Sequence, residues 1–133
     1  MVIKKEIKKK VLLVEDDEFL SELYATKLKL EGYDVILAND GEKGLRLAGE
    51  KTPDLILLDI IMPKKDGFEV LKGLKEKDTT KSIPVILLTN LSQKDEVKKG
   101  LDLGAIDYLI KAHFMPSEVV KKIKQIMIKN GIK

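Results

Sequence analysis

Three adjacent acids, Glu15-Asp16-Asp17, a further acid at Asp59, a hydroxyl at Thr89 and an ammonium at Lys111 are the residues of this 133-residue chain whose types suggest joint chemistry. If folding gathered Asp16, Asp17 and Asp59, their mutual repulsion would be costly unless a hard, oxygen-preferring cation sat among them, and Mg²⁺ is the expected ion. Such an ion would also shield an incoming phosphoryl group from the carboxylate that attacks it. Lys111 would neutralise one phosphoryl oxygen and the Thr89 hydroxyl would donate a hydrogen bond to another. Phosphoryl transfer to a carboxylate is the chemistry this set can do.

Taken singly, each residue has a plainer role. Asp17 precedes Glu18 and Phe19 and would cap a helix. Asp59 would serve as a turn residue and Lys111 as a solvated charge. Thr89 would be a β-branched strand residue and Tyr108 a half-buried aromatic. The joint reading therefore depends on the elements that position these residues.

Short apolar runs at Lys10 to Val14, Val35 to Ala38, Leu55 to Leu58, Val85 to Leu88 and Ile106 to Ile110 predict five strands. Leu55-Ile56-Leu57-Leu58 and Val85-Ile86-Leu87-Leu88 lack alternation, as expected of parallel strands covered on both faces. Between the runs lie amphipathic stretches. Phe19, Leu20, Leu23, Tyr24 and Leu28 form the apolar side of the first, and Leu45, Leu47 and Ala48 that of the second. Phe68, Val70, Leu71 and Leu74 mark the third, Val97, Leu101 and Leu103 the fourth, and Val119, Val120, Ile123, Ile126 and Met127 the fifth. Gly32, Asp40-Gly41, Pro53, Pro84 and Pro116 punctuate the boundaries. Five βα repeats with right-handed crossovers build an α/β, doubly wound parallel sheet, which binds ligands beyond the carboxyl ends of its strands. Asp16, Asp17, Asp59, Thr89 and Lys111 all fall at such ends.

In that order the acidic pair Asp16-Asp17, the segment Asp59-Ile60-Ile61-Met62-Pro63-Lys64-Lys65-Asp66-Gly67, then Thr89 and Asp107-Tyr108-Leu109-Ile110-Lys111 resemble the receiver domains of two-component response regulators. The resemblance covers roughly residues 10 to 130. It implies a flavodoxin-like strand order 2-1-3-4-5, with a basic leader over 1–9 and the receiver over 10–133. It further implies Asp59 as phosphoacceptor and Asp16, Asp17, Asp59 and the backbone carbonyl of Ile61 as Mg²⁺ ligands. Lys111 becomes the phosphate-contacting lysine, and Thr89 with Tyr108 the switch pair that reshapes a partner-binding face on the last two helices and fifth strand. A sensor histidine kinase or phosphotransfer protein would be the donor. Two positions depart from the family pattern. Ala112 stands where a proline, often cis, follows the lysine, so a trans Lys111-Ala112 bond, or a strained cis one, is expected. Asn90 stands where a small residue is usual and would alter access to the acyl phosphate.

Composition narrows the partners. The chain has no cysteine, so neither disulfides nor thiolate metal sites arise, and no apolar run approaches a membrane span. Five Lys and one Glu in residues 1–10 and five Lys in residues 121–133 leave 15 basic and 21 acidic residues between, so the +3 total hides an acidic body. With Arg46 the single arginine, neither nucleic-acid binding nor membrane insertion is expected. His113, the single histidine, is read as structural or exposed. With the resemblance, and with nothing after Lys133 to perform an output reaction, the expectation is a cytoplasmic, stand-alone receiver that acts on a downstream protein in trans, with a homodimer through the last two helices left open. The alternative is a degenerate receiver that serves as an unphosphorylated interaction module. An aspartyl phosphohydrolase would want a second acid at position 61, where Ile61 stands, and a dinucleotide site would want a glycine-rich turn where Glu15-Asp16-Asp17 stand.

Overall fold

Successive side chains of a strand point to opposite faces, so the unbroken apolar runs require cover on both sides. The computed structural model describes residues 8–62, 64–89, 94–111 and 115–132. Strands β1 (Lys10–Val14), β2 (Asp34–Ala38), β3 (Leu55–Asp59), β4 (Val85–Thr89) and β5 (Asp107–Ile110) alternate with helices α1 (Glu18–Leu30), α2 (Gly41–Lys51), α3 (Gly67–Glu76), α4 (Lys94–Asp102) and α5 (Pro116–Lys129). The strands pair in parallel in the order β2-β1-β3-β4-β5, as the resemblance implies.

Two cores follow from the alternation. Val11, Leu13, Leu57, Ile86 and Leu88 face Tyr24 and Leu28 of α1 and Val119, Ile123 and Met127 of α5. Leu12, Val14, Ile56, Leu58 and Leu87 face Ala48 of α2 and Val70, Leu71 and Leu74 of α3. Each buried Leu or Ile side chain contributes about 1.5–3 kcal/mol, so these faces outweigh the local preferences of any one helix.

Three helices start at the carboxyl edge of the sheet on an aspartate cap. Asp17 accepts from the Leu20 N–H at 3.0 Å, Asp40 from that of Lys43 at 2.9 Å, and Asp66 from that of Glu69 at 2.9 Å. Each cap is worth about 1 kcal/mol and fixes where the loop ends and the helix begins. At α5, Pro116 takes the first turn, where its missing N–H costs nothing, and Glu118 accepts from the Met115 N–H at 3.3 Å. Helix α2 ends on Thr52, a β-branched residue in the left-handed region at φ 43°, ψ 64°.

The expected apolar side of α1 is corrected at its start. Phe19 is 74 % exposed, while Ser21, Tyr24, Ala25 and Leu28 face the sheet. Five residues of helix separate Phe19 from Tyr24, which turns it about 140° off the buried face. In α4, Leu101 is exposed and Val97 half-buried, and it is Gly100 that lies against Leu87. Strand β5 begins at Asp107 rather than Ile106, whose N–H nonetheless bonds to the Val85 carbonyl at 2.9 Å.

Candidate functional site

Strands β1 and β3 are neighbours in register, with Val14 opposite Leu58, so Glu15, just past β1, and Asp59, the last residue of β3, emerge side by side at the carboxyl edge. The ladder extends past both: Glu15 donates its N–H to the Ala38 carbonyl at 3.0 Å and Ile60 to that of Leu88 at 3.2 Å. Asp59 is 6 % exposed, Glu15 1 % and Lys111 7 %. Lys111, arriving from β5, reaches across β4 and donates to Glu15 Oε1 at 2.9 Å and to Asp59 Oδ2 at 3.1 Å.

The structure thus brings Asp16, Asp59 and Lys111 together, but it admits Glu15 and not Asp17. One carboxylate oxygen from each of Glu15, Asp16 and Asp59 lies within 4.8 Å of the others, with Asp16 exposed and the other two buried. Asp17, expected as a ligand, has turned onto the first turn of α1, where its carboxylate caps the helix. The chain leaves the strand at residue 15, so the adjacent acid that stays in line with β1 points inward. An acid directly following the apolar run Val11-Leu12-Leu13-Val14 was the available signal for Glu15, and the capping preference of an Asp before Glu18-Phe19 was the signal for Asp17.

The electrostatics fit a cation-binding acidic cluster. Burial, reinforced by the neighbouring Asp59 and only partly offset by Lys111, pushes the Glu15 carboxyl up to about 8. Burial disfavours charge on Lys111, yet Asp59 and Glu15 outweigh it and hold the ammonium above its ordinary range. The second Glu15 oxygen, Oε2, is buried with no hydrogen-bond partner. A buried carboxyl oxygen that no protein group satisfies must either keep a proton or take a cation, and a hard cation would replace the proton that Glu15 retains. Beneath the cluster, Tyr24 feels the charges of Lys111, Glu15 and Asp59, while burial pushes its phenol up.

Thr89 ends β4 and is 1 % exposed, opposite Ile110 in the β4–β5 register. Tyr108 lies one strand away and two residues back, 37 % exposed, on the rim of a groove of about 410 Å³ that Gln125, Ile126 and Lys129 of α5 also line. Ile61, two residues beyond Asp59, is 61 % exposed. Asn90, Ala112 and His113 lie outside the described residues, as do the Lys111-Ala112 bond and residues 1–7 of the basic leader.

Comparison with known proteins gives consistent matches. A family model described as the response regulator receiver domain matches residues 11–124. The alkaline phosphatase synthesis transcriptional regulatory protein PhoP of Bacillus subtilis (strain 168) is 41% identical over 124 residues, 93% of this chain and 50% of that protein. The DNA-binding dual master transcriptional regulator RpaA of Synechocystis is 41% identical over 118 residues, 89% of this chain and 48% of that protein. Among solved structures, the chemotaxis response regulator CheY4 of Vibrio cholerae superposes with a TM-score of 0.84 at 29% identity, covering 90% of this chain and 99% of that one. The chain spans about half the length of the curated relatives it matches. Those relatives regulate transcription and one is named as DNA-binding, so they do not support the expectations of a stand-alone receiver and of no nucleic-acid partner.

Proposed function

The chain belongs to the family of response regulator receiver domains, and from that membership we propose that Asp59 accepts a phosphoryl group from the phosphohistidine of a sensor histidine kinase or phosphotransfer protein. A carboxylate oxygen of Asp59 attacks phosphorus, the phosphorus–nitrogen bond breaks, and the imidazole nitrogen leaves with the bonding pair. Lys111, 3.1 Å from Asp59 Oδ2, carries its charge to a phosphoryl oxygen as the acyl phosphate forms. Thr89 donates its hydroxyl to another. The observation that carries this reading is the buried Lys111 ammonium bridging Glu15 and Asp59 beside an unpartnered Glu15 oxygen.

Glu15, Asp16 and Asp59 would hold Mg²⁺, with the Ile61 carbonyl added on the strength of the family resemblance. When bound, the ion supplies positive charge that offsets repulsion between the acids and the incoming phosphoryl oxygens. Output then runs through Thr89 and Tyr108: the hydroxyl moves onto the phosphoryl group, and the exposed ring turns inward and reshapes the face of β5, α4 and α5 for a downstream partner. A cytoplasmic location fits this role, and among the described residues no helix is long and apolar enough to cross a membrane.

Mass spectrometry after incubation with acetyl phosphate and Mg²⁺ tests the proposal. A gain of one phosphoryl group is expected, absent in Asp59→Asn and absent with the metal chelated. Labelling that persists in Asp59→Asn, or none in the folded wild type, would overturn it.

A further inference from the structure

The chain after Asp59 folds back between α3 and the start of α2, and two glycines set how closely. Gly67 donates its N–H to the Ile60 carbonyl at 2.6 Å. A Cβ at Gly67 would stand 2.5 Å from the Asp59 carbonyl oxygen and 2.6 Å from Ile60 Cα, so a larger residue could not take this place without displacing the phosphoacceptor's own backbone. Gly41, the first residue of α2, meets the same segment from the other side. A Cβ there would stand 2.8 Å from Lys65 Cβ and from Val70 Cγ2, and closer still to the Lys65 carbonyl oxygen.

Lys64 joins the two. Its backbone is left-handed at φ 68°, a conformation that strains a residue carrying a side chain. Its ammonium lies 3.5 Å from Asp40 Oδ2, while Asp40 Oδ1 caps α2. An exposed lysine paired with one carboxylate contributes little by itself. Here the pair does not act alone, because the strained Lys64 backbone and the glycine-only approach at Gly41 fall on the same few residues.

We propose that Asp40, Gly41 and Lys64 form a positioning brace, by which the N-terminus of α2 clamps the segment after Asp59 and so fixes the backbone that carries Asp59 and Ile61 to the acidic cluster. None of the three touches the reacting atoms. The contacts stand on geometry alone, and only their effect on the cation rests on the Mg²⁺ reading above.

Hydrogen exchange of the Gly67 amide, followed by NMR in cation-free protein, tests the contacts. Lys64→Met and Gly41→Ala should each speed exchange at Gly67 several-fold while core amides such as Leu57 and Ile86 keep their protection, and Lys64→Arg should restore it. Should Gly41→Ala fail to fold, Lys64→Met carries the test. Unchanged exchange at Gly67 in Lys64→Met would overturn the brace whatever the metal does. Titration with Mg²⁺ alone tests the consequence. Removing a positive charge should tighten cation binding through space, whereas loss of positioning should weaken it several-fold; tighter or equal binding by Lys64→Met would overturn the positioning role. Normal Gly67 protection in a wild type that binds no Mg²⁺ would sink the cation reading and leave the brace to the exchange data.

Discussion

Glu15 keeps its proton far beyond the ordinary carboxylate range, first because it is buried and then because Asp59 lies against it, which brings the carboxyl to about 8. In cation-free protein the folded chain therefore holds a proton that the unfolded chain releases near 4.5. The stability linked to that proton is complete below about pH 4.5 and is lost as pH rises toward 8. Lys111, raised above 10.5, contributes stability throughout that window and loses it only at higher pH. Thermal melts in chelator should show the transition falling from acid toward neutral pH, and Glu15→Gln should flatten the slope. Equal slopes in the two proteins would mean that some other group titrates. Asp59, Lys111 and Asp16 were legible in the sequence because each lies at or just past the carboxyl end of a strand on the same edge. It left Glu15 and Asp17 hard to tell apart, because the choice between pointing inward and capping turns on where the chain leaves β1, a boundary that three consecutive acids do not mark.

At the level of elements, the exchange of roles at residues 15 to 17 has a stability signature. Asp17→Ala removes the acceptor for the Leu20 N–H and should cost about 1 kcal/mol in urea unfolding, while Asp17→Ser should keep most of it. Mg²⁺ affinity should fall far more in Asp16→Ala than in Asp17→Ala, and the reverse order would return Asp17 to the ligand set. The helices themselves were readable from their apolar spacing, α5 best of all, since Val119, Val120, Ile123, Ile126 and Met127 are all buried. Phe19 misled because it stands beside Leu20 in sequence, and an apolar residue in a first turn satisfies the pattern without reaching the core. Gly100 carried no apolar signal, although its lack of a side chain is what lets α4 settle on Leu87.

Across the whole molecule, β1, β3 and β4 serve both cores at once, so neither face can loosen alone. Leu57→Ala on one face and Leu58→Ala on the other should each cost about 2–5 kcal/mol. Far-ultraviolet circular dichroism and the near-ultraviolet signal of the tyrosines, buried Tyr24 among them, should report the same midpoint in each variant; separate midpoints would indicate that the two faces unfold independently. The unalternating runs of β3 and β4 made a doubly covered parallel sheet legible from composition alone. The strand order was not, because a crossover can return to either side of a strand with the same periodicity, and it entered through the family resemblance. The end of α2 carries one consequence beyond the acidic cluster. Thr52 is exposed and holds the left-handed turn that glycine or asparagine occupies with less strain. Thr52→Gly or Thr52→Asn should therefore raise the melting point by a few degrees, on the order of 0.5–1 kcal/mol. The natural chain would then be shown to sit below its attainable thermal robustness at a position away from the acidic cluster, the kind of place where an engineer begins.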